Sequence, residues 1–458
     1  MGGVSRIPHP EVDLPRQLPL RGLLRLPGAA TSAAAVAGPR ALRHGGDRTR
    51  LRSTTAALTS LTALAATSLV AGPVSAEPLG GLCALERTAA HHSEGVDTWN
   101  PAYPRPTGTL DAVMVFLSFP DSRPRVTPAA LAADYFPATS RFFTHASYGK
   151  FTLRPHPQPA WIEMPHASTS YAIKRDWNAS RRSAYLRDAI NAANPRVDFR
   201  KYDIVYLVAD PDAPGVDSDA TKVVNFERPI EADGADIRRV VTVFERHPPD
   251  RNVLAHETGH VFDLPDLYHR PSDGKGDWDT YVGDWDVMGS QFGLAPDLFG
   301  WHKWKLGWLE PRQVACVQGL GTTRLTLEPL AEGPEPGGAL AGQPFGSGGG
   351  TKLAVVRTGR TSALAFEARG PAGNDEVSCT EGILAYRVRS GTASGGGPVE
   401  VVDAHPHSES CWGDSVYPEL ADAPVRLGET FTVPGAKVRV EAEDRTPSGA
   451  WTVKITTG

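Results

Sequence analysis

The stretch His256-Glu257-Thr258-Gly259-His260-Val261-Phe262-Asp263-Leu264-Pro265-Asp266 decides the interpretation of this chain. Residues four apart lie on one face of a helix, so His256 and His260 can bind the same ion. Glu257 follows the first histidine, so it can lean over that ion without binding it and act as general base toward water. A catalytic zinc takes three protein ligands and keeps one position open. The stretch therefore predicts a zinc helix with Glu257 as its catalytic residue.

The sequence also carries signals for the ends of this helix and for the third ligand. Asp250 follows two prolines and is a good N-cap residue, whereas Pro265 cannot continue a helix. Asp266, shortly after the helix, is expected to be the third ligand. His269, Asp263 and a distant carboxylate are the alternatives.

The same string resembles HExxHxxGxxH/D, the pattern of the metzincins, in which a glycine opens the turn before the third ligand. Asp263 stands at the glycine position, and Asp tolerates a left-handed backbone better than most residues. Downstream, Met288 lies among turn-forming residues in Gly283–Ser290 and resembles the methionine turn beneath the zinc. A lone methionine that only fills the core is the alternative.

Together with further blocks of sequence, the chain resembles the immune inhibitor A family of secreted metallopeptidases. They occur in family order within about residues 108–310: AVMVFLSFPD at 112–121, FFTHASYGKF at 142–151, the zinc helix through Tyr268, and WDVMG at 285–289 followed by WHKWKLGW at 301–308. This resemblance implies a zinc endopeptidase with His256, His260 and Asp266 as ligands and Glu257 as base.

The N-terminus is expected to lie outside the fold. Residues 1–52 contain nine Arg and three acidic residues, and residues 53–76 contain no charged residue. The following residues have the pattern of a signal peptide: a basic region at Arg48–Arg52, an apolar stretch at Ala56–Val70 and small residues at Val74–Ala76. The apolar stretch is too short for a membrane span. Removing residues 1–76 changes the net charge from −5 to −11. That charge argues against nucleic acid or an anionic membrane as partner and favours a secreted protein. We expect it to be a monomer.

The four cysteines all follow residue 76, and an even number in an exported chain suggests two disulfides. Three pairings are possible, and we favour Cys83–Cys316 together with Cys379–Cys411. The alternative places Cys83 on the zinc as a thiolate in a latent precursor.

Periodicity divides the rest of the chain into two parts. Strands mixed with helices up to residue 315 indicate an α/β (α+β) zinc peptidase domain of metzincin-like type. From residue 316 to 458, short alternating segments separated by Gly and Pro indicate an all-β sandwich. We expect the boundaries 1–76 for the leader, 77–107 for a tail or short pro-segment, 108–315 for the peptidase domain and 316–458 for the β domain.

The sequence therefore predicts a secreted zinc metalloendopeptidase that acts on protein or peptide substrates. The alternatives are a binding protein on an inactive peptidase scaffold and a zinc hydrolase of cell-wall amides. Five Asp between residues 273 and 286 are hard oxygen ligands that could bind a structural calcium. The alternative is a solvated loop rich in turn-forming residues.

Overall fold

The computed structural model describes residues 81–269, 281–333 and 349–458. The expected leader at 1–76 and three of the five Asp considered for calcium (Asp273, Asp277 and Asp279) lie outside the described residues. None of the helices in the described ranges is long and apolar enough to cross a bilayer.

The first half of the described chain forms a mixed six-stranded sheet with helices packed against it. Its strands are β1 (Gly108–Ser118), β2 (Phe151–Pro157), β3 (Ile162–Glu163), β4 (Ile204–Ala209), β5 (Lys222–Ala232) and β6 (Ala235–Val243). Its helices are α1 (Pro128–Tyr135), α2 (Ala138–Ala146), α3 (Ser168–Tyr171), α4 (Ala179–Ala193) and α5 (Val253–Val261).

The strand order is β2-β1-β4-β6-β5, and the short β3 also pairs with β1. All pairs are parallel except β5 with β6, which is antiparallel and places β5 at the edge of this sheet. Successive side chains of β1 point to opposite faces. Val113 and Val115 join one core with α4, and Met114 and Phe116 join the other core, which includes α5. The sheet therefore has two buried faces, and one of them supports the predicted zinc helix.

The second half contains two further sheets. Its elements are α6 (Gly300–Lys305), β7 (Val314–Val317), β8 (Gly321–Leu327), β9 (Leu353–Arg357), β10 (Ser362–Arg369), β11 (Gly382–Arg389), β12 (Val399–Val401), α7 (Pro418–Ala421), β13 (Thr430–Thr432), β14 (Val438–Arg445) and β15 (Trp451–Thr457). One sheet has the order β12-β11-β10-β9-β7 and the other β13-β14-β15-β8.

These two sheets share one apolar core, to which both contribute alternate side chains. Leu364 and Phe366 of β10 contact this core together with Val440 of β14 and Val453 of β15. The intervening Ala365 of β10 faces the other way, into the core that contains α5. The expected arrangement of an α/β part followed by packed β-sheets is confirmed. The metzincin-like fold and the domain boundaries stay predictions.

Both favoured disulfides are present, Cys83–Cys316 and Cys379–Cys411. Cys83 is therefore bonded to another sulfur, and the alternative in which its thiolate binds zinc is wrong for this structure. Cys83 lies before β1 and Cys316 lies in β7, so this bridge ties the N-terminal segment to the first strand of the second half.

Local sequence signals explain the bounds of two helices. Thr127 caps α1 by accepting from the Ala130 N–H at 3.2 Å, and Pro137 lies between α1 and α2. The edge strand β5 was missed, because Pro229 interrupts its alternation and a proline speaks against a strand. Pro229 is tolerated there because an edge strand needs backbone hydrogen bonds on one side only.

Candidate metal centre

The predicted zinc helix is α5, and it is shorter than its sequence signals suggested. It begins at Val253 after Asn252, whose backbone is left-handed (φ 58°), and no side chain caps it. Asp250 was expected to be the N-cap and is not; its carboxylate accepts from Gln291 Nε2 at 3.2 Å instead. All nine residues of α5 are buried. Tertiary packing therefore stabilises this helix in place of a cap.

The two histidines of α5 are oriented by backbone carbonyl groups. His256 Nδ1 donates to Val287 O and His260 Nδ1 donates to Leu264 O, both at 2.8 Å. A carbonyl oxygen can only accept, so each Nδ1 carries the hydrogen and each Nε2 is left to bind a ligand. Both Nε2 atoms face Asp266 Oδ1, at 3.4 Å from His256 and 3.1 Å from His260. The three side chains form a group whose ligand atoms lie within 4.8 Å of one another.

Asp266 is held by the loop between β11 and β12. Ser394 Oγ donates to Asp266 Oδ2 at 3.0 Å and accepts from the Asp266 backbone N–H at 2.9 Å. The N–H of Gly395 also donates to the Asp266 carbonyl oxygen at 3.1 Å. With Oδ2 bound to the serine, Oδ1 is the oxygen presented to the two histidines.

Asp263, at the glycine position of the motif, adopts the left-handed backbone that the turn requires (φ 65°). Its carboxylate is bound by the N-terminal segment, at 2.7 Å from Arg87 Nη1 and 2.9 Å from His92 Nδ1. Lys305 Nζ donates to its carbonyl oxygen at 2.7 Å. Neither Asp263 nor His269, the alternative ligands, belongs to the cluster found among the described residues.

Met288 lies directly beneath α5. It is fully buried, its carbonyl accepts from the Leu267 N–H at 3.0 Å, and its own N–H donates to Asp286 Oδ1 at 2.8 Å. A Cβ atom at Gly259 would collide with Met288 Sδ. The helix can therefore approach the methionine only because position 259 has no side chain, which explains the glycine in mid-helix.

Glu257 projects from α5 into a cleft of about 600 Å³ that His256, His260 and Asp266 also line. Its Oε2 is buried and has no hydrogen-bond partner within the described part of the chain. A buried carboxylate oxygen without a partner is costly and is expected where a ligand or water binds. Glu257 therefore has the position and the free lone pairs that a general base needs.

The charges of the cluster depend on one another. Burial lowers the pKa of His260, but the charge of Asp266 and its hydrogen bond outweigh burial and raise that pKa to about 9. Burial favours the neutral form of Asp266, yet the charge of His260 and the hydrogen bonds from both histidines hold its pKa well below the usual range. A metal ion competes with these protons, so we expect metal affinity to fall as the pH falls.

The two Asp considered for calcium that are described have other partners. Asp286 Oδ2 accepts from the Phe299 N–H at 2.8 Å and lies 2.8 Å from His302 Nδ1. Asp284 Oδ2 accepts from Ser415 Oγ at 2.5 Å. Both side chains support the turn around Met288, and calcium binding stays a prediction.

Sequence reasoning missed Ser394, Arg87 and His92, none of which belongs to a recognisable motif. Ser394 is one serine in a Gly-rich loop, and it lies 128 residues from the aspartate it binds. Arg87 and His92 precede the expected peptidase domain and reach Asp263 only through tertiary contacts. An adjacent pair of histidines, His91-His92, was the one local hint of a role near a metal.

Comparisons with known proteins assign no family. Neither a scan against protein-family models nor a search of curated proteins found a match. Among solved structures, wild-type OgpA from Akkermansia muciniphila is similar over 66% of this chain and 95% of that chain, with 10% sequence identity and a TM-score of 0.25. A TM-score this low does not establish a shared fold, so the function is argued from the site.

Proposed function

We propose that this protein is a secreted zinc-dependent endopeptidase in which His256, His260 and Asp266 bind the metal and Glu257 is the general base. The observation that carries this proposal is the cluster itself. Two imidazole Nε2 atoms and one carboxylate oxygen converge within 4.8 Å, beside a buried carboxylate oxygen that has no partner among the described residues.

The donor set fits zinc. Two neutral imidazoles and one carboxylate, with one position left open, are a common ligand set of catalytic zinc. The Val287 and Leu264 carbonyls fix the histidine tautomers, and Ser394 fixes the carboxylate, as supporting groups do in established zinc sites. When bound, zinc would lower the pKa of a water molecule and polarise the substrate carbonyl.

Glu257 supplies the proton transfer. Its free Oε2 would accept a proton from the attacking water and then pass it to the leaving amine. The carboxylate is on the residue next to His256, so the helix holds it beside the cluster without making it a ligand. An inactive scaffold would not need a general base, so the presence of Glu257 argues against that alternative.

The cleft also offers a backbone edge to a peptide. Lys222, Val223 and Asn225 of β5 line it, and β5 pairs only with β6 among the described strands. An exposed strand edge can bind an extended peptide through main-chain hydrogen bonds, whatever its side chains. This edge favours a polypeptide substrate over a small molecule. The two disulfides are consistent with an oxidising, extracellular environment.

The test compares wild type, Glu257→Ala and the exposed control Glu163→Ala. Each purified protein is incubated with a peptide library, with casein and with cell-wall fragments, with and without a chelator, and its zinc content is measured. We expect chelator-sensitive peptide cleavage by wild type and by the control. Glu257→Ala should retain about one zinc per chain and lose activity by about 10²-fold or more.

The other outcomes identify the alternatives. Cleavage of wall fragments but not of peptides would assign a cell-wall amide hydrolase. Zinc binding without any chelator-sensitive cleavage would assign a binding protein. Full peptidase activity in Glu257→Ala would refute its role as base.

A further inference from the structure

The segment Cys83–Val96, here the N-terminal wall, is built into the structure around the metal cluster. Its first residue is covalently bonded to Cys316. Near its end, the fully buried Glu94 contacts His302 Nε2 at 2.8 Å and Lys305 Nζ at 3.6 Å. Both partners lie in α6, so the wall is fixed at two widely separated points.

Between these points the wall reaches the metal-binding helix. Arg87 and His92 both bind the carboxylate of Asp263, and His92 is 5% exposed. The ring of His92 stacks against the ring of His260, with centroids 5.7 Å apart. The aspartate that replaces the motif glycine therefore has a specific role, because a glycine would provide no anchor for the wall.

His91 lies in the cleft next to His92, which Asp263 holds in place. Its ring centroid lies 4.0 Å from that of His92, which places it no more than about 10 Å from the His260 ring. Its carbonyl accepts from the Ser394 N–H at 3.0 Å, so the backbone is fixed as well. The side chain is exposed and lines the cleft with His260 and Glu257. No hydrogen bond of its ring nitrogens is present within the described ranges.

A hydrogen-bond donor near the substrate carbonyl oxygen accelerates amide hydrolysis. The substrate carbonyl oxygen gains negative charge as water attacks, and a positioned N–H directed at that oxygen stabilises the transition state more than the bound substrate. Lys222 also lines the cleft, but its Nζ is tethered by a hydrogen bond to the Arg175 carbonyl at 2.6 Å. His91 offers an imidazole N–H on a fixed backbone, with its ring within about 10 Å of the His260 ring.

We propose that His91 is a further catalytic residue, which donates a hydrogen bond to the substrate carbonyl oxygen, and that the N-terminal wall is therefore a permanent part of the active enzyme. This inference rests on the proposed peptidase function. It assigns residues 83–96 to the mature site and not to a pro-segment that is removed. No covalent bond forms or breaks at His91, since its role is hydrogen-bond donation only.

The experiment compares wild type with His91→Ala, with His91→Gln, which retains an N–H donor, and with His145→Ala, an exposed histidine of α2 outside the cleft. We expect His91→Ala to lower kcat about 100-fold while KM changes less than about threefold. His91→Gln should recover part of kcat, and the control should match wild type. Zinc content and thermal stability should be the same in all four proteins.

Binding of a phosphinic peptide, which mimics the tetrahedral transition state, provides a readout independent of turnover. His91→Ala should bind it at least about tenfold more weakly than wild type, and should bind the matched product peptide equally well. A kcat within about threefold of wild type, a change in KM alone, or unchanged phosphinic peptide binding would overturn the role of His91. A wild-type protein that cleaves no peptide would instead overturn the proposed function.

Discussion

Replacing Ser394 with Ala should weaken zinc binding although Ser394 is not expected to touch the metal. The serine hydroxyl donates to Asp266 Oδ2 at 3.0 Å and accepts from the Asp266 N–H at 2.9 Å. Alanine removes both contacts. It leaves the ligand free to rotate and leaves the half-buried Asp266 N–H without this partner.

The size of the effect follows from these two contacts. A hydrogen bond to a charged group contributes about 1.5–3 kcal/mol, and loss of a supporting contact to a metal ligand typically costs about 10–100-fold in affinity. A 10–100-fold loss corresponds to about 1.4–2.7 kcal/mol. The two estimates agree, so we expect the dissociation constant for zinc to rise by about 10–100-fold.

The assay is a competition titration of zinc between the protein and a chromophoric chelator at fixed pH. Ser394→Thr keeps a hydroxyl and should stay closer to wild type than Ser394→Ala. Ser390→Ala is the matched control, because Ser390 lies in the same loop and its buried Oγ has no partner in the described part of the chain. The reasoning is refuted if Ser394→Ala binds zinc as tightly as Ser390→Ala while both fold normally.

Three further predictions concern stability. The collision of a Cβ atom at position 259 with Met288 outweighs the gain in helix propensity, so Gly259→Ala should lower the unfolding free energy by about 1–2 kcal/mol net. An unchanged melting temperature would contradict this contact. A disulfide that closes a longer loop restricts the unfolded chain more, and the two bridges span 233 and 32 residues. Replacing both cysteines of Cys83–Cys316 should therefore lower the unfolding free energy by about 1.8 kcal/mol more than replacing both cysteines of Cys379–Cys411. Denaturant titration of the two double variants measures this difference. Burial raises the pKa of Glu245 to about 7 from 4.5, so its proton is held more tightly in the folded state and stability should fall as the pH rises from about 4.5 to 7. Between pH 5 and pH 8 we expect the unfolding free energy of wild type to fall on the order of 2–3 kcal/mol more than that of Glu245→Gln, as measured by denaturant titration. Equal changes in the two proteins would refute the raised pKa of Glu245.

Much of α5, the candidate metal-binding helix, could be predicted from the sequence because its geometry is local. The spacing of His256 and His260 fixes their common face in any helix, and Glu257 must then lie beside them. The turn before Asp266 requires a left-handed residue, and Asp263 adopts that conformation. The continuous apolar run that begins at Ala112 likewise indicated β1, since a strand buried on both faces has apolar side chains on both.

The start of α5 was not predictable in the same way. Asp250 has the right chemistry for an N-cap, but the helix begins after Asn252 and is stabilised by burial of all nine residues. Burial depends on what packs around the helix, and local signals carry no information about that. The edge strand β5 was missed for a related reason, because only its place in the sheet shows why a proline is tolerated.

The sequence by itself determined which side chains the candidate site can offer: the imidazoles of His256 and His260 and the carboxylates of Glu257 and Asp266, all within eleven residues. The tertiary structure decided how these groups are held. Ser394 comes from the β-sheet half to orient Asp266, and His92 comes from the N-terminal wall to stack against His260. Ligand spacing is set by the periodicity of one helix and can be read along the chain. The supporting contacts join residues separated by 128 to 171 positions and exist only when the chain is folded.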